Sequence, residues 1–89
     1  MDKLEILAKV EQYYSENFKV LEKGLKEYDW MKKDPIRYIS NFKADFCGIV
    51  MFVQKLGVDF NSVNSIYEPY YYKFREMEKK AYDLKSWKK

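Results

Sequence analysis

Apolar side chains recur every three or four residues through three stretches of this chain, the spacing of helices that bury one face. The first stretch runs Leu4, Leu7, Val10, Tyr14, Phe18, Leu21, Leu25 and Tyr28. From Tyr14 its steps alternate between four and three, as in a coiled-coil seam. Asp2, followed three residues later by Glu5, has the form of a capping box, so the pattern predicts a helix over about 2–29. Gly24 lies inside it and marks a candidate bend, because glycine costs a helix interior about 1 kcal/mol relative to alanine.

The second stretch opens on Asp34-Pro35, an N-cap acceptor followed by proline at the first helical position, where its missing N–H is harmless. Its stripe is Ile36, Ile39, Phe42, Phe46, Ile49, Val53 and Leu56, and Gly57 supplies a left-handed stop, giving a helix over about 35–56. Between Phe46 and Val53 this helix is apolar almost all round, which predicts that it is covered on every side. It is therefore expected to be the central helix. Phe46, Ile49 and Val53 should be buried, Cys47 should pack in the core, and Gly48 should admit a close neighbour.

The third stripe is Tyr67, Tyr70, Phe74, Met77, Ala81 and Leu84. Ser65 and Glu68 have the spacing of a capping box, which would put Pro69 in the first turn and start the helix at about 66, running to 87. Residues 58–64 then read as a connector. Three helices joined by short connections predict an all-α, antiparallel three-helix bundle forming one domain over 1–89. The first helix would be ~40 Å long and the others ~32–33 Å at 1.5 Å per residue. Leu25, Tyr28, Trp30 and Met31 would then overhang. Either Gly24 breaks the helix or a second subunit covers the surplus, which is the sequence argument for a homodimer.

Composition narrows the chemistry. Nine tyrosines, six phenylalanines and two tryptophans make 19% of the chain aromatic, far from the make-up of a disordered segment. There is no histidine and one cysteine, which removes the commonest general base and most metal-ligand sets. Glu5, Glu11, Glu16, Glu22 and Glu27 alternate with lysines around the first helix and read as a solvated face. Asp45 flanks the apolar stretch, as a half-buried acid or as a group reaching water or a lysine. No phosphate-binding glycine loop and no nucleophile elbow occurs. The expectation is a protein that is not an enzyme and needs no cofactor or metal. A lone cysteine and the lack of an apolar leader point to the cytoplasm. The longest apolar run, eight residues from Phe46 to Val53, is short of a membrane span.

The net charge of +3 is concentrated at the end of the chain: from Lys73 onward seven basic residues face three acidic ones. Basic side chains there complement a helix dipole. They also share a face with aromatics: Tyr72, Arg75, Lys79 and Tyr82 lie opposite the third stripe, with Lys89 further along. Tyr, Trp and Arg are the usual anchors of protein interfaces, so these four residues and Trp30 are the expected partner-binding set. The alternative is nucleic acid, since aromatics stack on bases and cations neutralise phosphates, although no recognised reading motif accompanies them. The function expected is a small protein-binding regulator, adaptor or inhibitor. The Tyr/Lys/Ile-rich composition and short length suit an AT-rich microbe or its phage.

Overall fold

A computed structural model describes residues 2–87, with side chains through Asp83. The end of the third stripe (Leu84) and the last basic residues (Lys85, Lys88, Lys89) lie outside the described side chains. The described residues form four helices and no strand: α1 (Lys3–Glu27), α2 (Asp29–Lys32), α3 (Pro35–Lys55) and α4 (Phe60–Trp87). The three long helices all pack on one another, α3 with α4 most extensively. Together they make a rod of about 50 × 21 × 16 Å.

Helix α1 starts where Asp2 caps it, its carboxylate accepting from the Glu5 amide at 2.9 Å. Val10, Tyr14, Phe18 and Leu21 form its buried stripe, while Leu4, at the frayed end of the pattern, is 78% exposed. Gly24 does not interrupt α1. It is buried within a continuous helix, and a Cβ there would fall onto Sδ of Met31 and within 2.8 Å of its Cε. Tyr28 leaves the helix in an extended conformation, and the single turn of α2 then swings Met31 back onto Gly24, where it is 3% exposed. The predicted overhang is thus folded over: Met31 is core, Leu25 is half-buried, and only Tyr28 and Trp30 stay exposed.

Pro35 occupies the first turn of α3 as the sequence indicates, but the Asp34 side chain makes no capping bond. The other end is a glycine stop: Gly57 has φ +100°, its N–H bonds the Gln54 carbonyl at 3.0 Å, and the Val58 N–H bonds that of Val53 at 3.3 Å. That is a Schellman motif, with Val58 and Val53 both buried beneath it. Phe46 and Val53 face inward as expected, but Val50 takes the place given to Ile49, which is only half-buried. Cys47, Gly48, Met51 and Phe52 are exposed, so α3 is not covered on every side. Nothing approaches within 4 Å of a Cβ at Gly48, against the close neighbour the sequence suggests.

The largest departure is the start of α4, six residues earlier than predicted. Asp59 is the cap: it accepts from the Ser62 amide at 3.0 Å and from the Ser62 hydroxyl at 2.8 and 2.9 Å. Ser65 does not cap anything; its hydroxyl donates to the Ser62 carbonyl at 2.7 Å, and Glu68 accepts from Asn64. Pro69 therefore sits inside the helix and offers no N–H to the Ser65 carbonyl. Ser65 and Pro69 are both exposed, so water can serve that carbonyl. With α4 at 28 residues, α1 at 25 is no longer the longest helix, while α3 at 21 remains the shortest of the three.

Candidate functional site

Four of the five residues singled out by spacing come together. Tyr72, Arg75, Lys79 and Tyr82 project from the outer side of α4 and, with Lys43, Tyr71, Glu76 and Glu78, line an open groove of about 770 Å³. Tyr72 is 60% and Tyr82 55% exposed, whereas Phe74, half a turn away, is fully buried. Tyr70, expected in the core, is half-buried: its ring packs on Tyr14, Phe18 and Phe46, and the Lys73 ammonium lies 5.0 Å from its centroid. The turn of the helix separates the two faces, since residues two apart diverge by about 200°.

Lys43 reaches the groove from α3. Its ammonium pairs with Glu78 at 2.9 Å, both groups being largely screened from water, and this contact pins α3 to α4 along the groove. Tyr71 is the residue that organises the rest. The Arg75 guanidinium lies 5.9 Å from its ring centroid and donates to its hydroxyl at 3.2 Å, while the Lys43 ammonium lies 5.8 Å from the ring. The Tyr72 ring meets Tyr71 edge-on at 5.6 Å. A shallower depression of about 330 Å³ lined by Asn64, Tyr67, Glu68, Tyr71 and Tyr72 continues the strip toward the start of α4. Burial, with Cys47 and Tyr71 close by, raises the Tyr67 phenol above its ordinary value.

Comparison with known proteins finds no matching family model, no matching curated protein and no matching solved structure. The groove has to be read on its chemistry alone. It offers planar phenols, one guanidinium and two ammoniums set among two carboxylates, and no side chain placed as an activated nucleophile. Among the described residues, no group of three or more His, Cys, Asp or Glu side chains gathers as a metal site, and no helix is long and apolar enough to cross a membrane.

Trp30, the fifth predicted residue, does not line the groove. It is 58% exposed and belongs to a separate aromatic corner, stacked on Tyr28 at 5.6 Å and edge-on to Tyr38 at 5.2 Å. The Arg37 guanidinium covers the Tyr38 ring at 6.0 Å. Sequence spacing missed Tyr71 and Lys43. Tyr71 carries a local signal, an i, i+4 relation to Arg75. Lys43 carries none, because its place depends on how α3 meets α4.

Proposed function

We propose that this chain is a small protein-binding regulator, adaptor or inhibitor that holds its partner in the α3–α4 groove and acts by binding rather than by catalysis. The observation carrying the reading is that Tyr72, Arg75, Lys79 and Tyr82 line one groove whose wall is braced by Tyr71 and the Lys43–Glu78 pair. Exposed tyrosines and arginine held by neighbours lose little side-chain freedom on docking, which makes them effective anchors. Nucleic acid is the second reading, and Glu76 and Glu78 within the same groove weigh against it. The scaffold is an up-down-up bundle of α1, α3 and α4 working in the cytoplasm. The pairings of Tyr14 with Phe46 and Tyr70, of Phe18 with Phe74 and of Lys43 with Glu78 support that topology. A second copy of the chain remains a proposed partner, although the buried Met31 removes part of the overhang that first suggested it.

The test is a parallel capture from host lysate with the wild-type chain and with Tyr72→Ala/Arg75→Ala, followed by titration of the retained protein. A partner held by the wild type and lost by the folded double variant supports the groove. A partner retained equally by both places the site elsewhere. Binding to random DNA that falls steeply with salt, with a slope set by the phosphates neutralised, would replace the protein reading with the nucleic-acid one.

A further inference from the structure

The outer face of α3 leaves Met51 and Phe52 uncovered beside Ala44 and Gly48, with Asn41, Asp45 and Lys55 on the same face. Gly48 lies about 200° round the helix from buried Phe46, and Ala44, Met51, Phe52 and Lys55 fall within about 60° of Gly48 at ~100° per residue. All five are exposed, with Met51 at 61% and Phe52 at 60%. Leu56 at 53% is exposed just after α3, and Phe60 at 52% at the start of α4. Neighbouring exposed large apolar groups such as Met51 and Phe52 are candidates for an interaction surface.

We infer that this face is the contact between two copies of the chain, with α3 crossing α3 of the second copy in antiparallel register near Gly48–Phe52. This rests on the homodimer reading and gives it a surface. The argument is self-complementarity, which a two-fold interface requires because each patch must fit its own image. Run antiparallel with the crossing centred on position 50, the helix sets Gly48 against Phe52 of the second copy and Ala44 against Leu56. Small residues thereby face large ones, and the open space at Gly48 receives a ring. The same register sets Asp45 against Lys55, so two opposite-charge pairs flank the apolar centre. Both are exposed, and among the described residues neither has an ion-pair partner within the chain.

Glycine and alanine at the crossing allow axes to approach toward the short end of the 8–10 Å range. The four large side chains expose roughly 400–500 Å² per copy, given that an aromatic side chain spans about 150–250 Å². Two copies would bury at most roughly 800–1,000 Å² from these side chains, below the ~1,200–2,000 Å² of standard interfaces and in the range of weak, transient ones. The dimer is accordingly expected to be weak and dependent on concentration.

Sedimentation equilibrium of the full chain from ~1 to ~300 μM tests this, with a dissociation constant expected at roughly 1–100 μM. Phe52→Lys should stay monomeric throughout with an unchanged helical spectrum, since the residue touches solvent in the monomer. At low salt, Asp45→Lys and Lys55→Asp should each weaken the dimer several-fold, and the double swap should recover it. A chain monomeric at every concentration overturns the homodimer itself. A dimer indifferent to Phe52→Lys overturns this surface while leaving the homodimer standing. Single swaps that weaken association without recovery in the double swap overturn the antiparallel register.

Discussion

Tyr14 and Phe46 are joined twice. Their rings stack with centroids 4.2 Å apart and planes 11° from parallel, and the Tyr14 hydroxyl donates to the Phe46 carbonyl oxygen at 2.6 Å. Both residues are sealed from solvent, and Tyr70 and Phe74 of α4 meet the Phe46 ring edge-on at 5.7 and 5.0 Å. One aromatic knot therefore binds all three long helices. Phe46→Ala should cost about 3–5 kcal/mol, a large part of the stability of a domain this small. Thermal or urea unfolding measures it, and an unchanged midpoint would mean that the knot is not the centre of the core.

Tyr14→Phe keeps the ring and removes only the hydroxyl bond, so it should cost about 0.5–1.5 kcal/mol at neutral pH. Burial, with Tyr67, Cys47 and Tyr13 as neighbours, holds the Tyr14 phenol far above its ordinary value of 10.0. A group raised in the folded state stabilises it fully below that ordinary value and loses its contribution as pH rises beyond it. Alkaline titration should therefore show a late tyrosinate step that coincides with loss of helix. In Tyr14→Phe, helix loss should shift to higher pH and separate from the remaining phenol steps.

Two helical glycines should respond oppositely to alanine. At Gly48 the space is open, so Gly48→Ala should stabilise the monomer by about 0.5–1 kcal/mol through helix propensity. At Gly24 the added methyl meets Met31, and the repacking cost of ~1–3 kcal/mol should exceed the propensity gain. Calorimetry on both variants at low concentration checks the sign. Equal gains would show that Met31 yields freely.

Asp59 receives the Lys3 ammonium at 2.6 Å and caps α4 through Ser62. These contacts, Lys3 first, hold its carboxyl well below the usual carboxylate range. Its contribution is present above about pH 4 and is lost as pH falls further. Asp59→Asn, which can still cap, should lower the thermal midpoint at pH 7 and converge on the wild type toward pH 2. A constant gap across that range would assign the effect to capping alone.

At the groove, Tyr72→Ala and Arg75→Ala should each weaken partner binding by at least ~1 kcal/mol while leaving stability nearly unchanged. Calorimetric titration against the captured partner, alongside thermal melts, separates the two effects. Full-strength binding by both variants would remove the groove from the interface.

Periodicity made the helices legible wherever one stripe was clearly apolar: Val10, Tyr14, Phe18 and Leu21 on α1, and Ile39, Phe46 and Val53 on α3, are all buried. It failed where local signals competed. Ser65, Glu68 and Pro69 imitate a helix start, and the stronger cap at Asp59 shows itself only once Ser62 and Lys3 converge on it. On α3 an apolar surface on all sides does not bring cover on all sides. Cys47, Met51 and Phe52 show that such a surface can instead face outward. The exposure of Tyr72 and Tyr82 follows from rotation about one helix. The positions of Lys43 and Met31 depend on contacts between elements and leave no mark in local spacing.

The four-residue link at Gly57 also orders events in time. Helices α3 and α4 meet across this short connection and share the most extensive packing, so their association costs little loop-closure entropy. By contrast, α1 reaches α3 through the longer connection 28–34, which contains α2. The α3–α4 pair is therefore expected to form first, with α1 closing over it. Until α1 arrives, Phe46 and Phe74 stand open to solvent and to other chains. In a cell, the interval between completing the pair and docking α1 is when this protein is most exposed to misassembly.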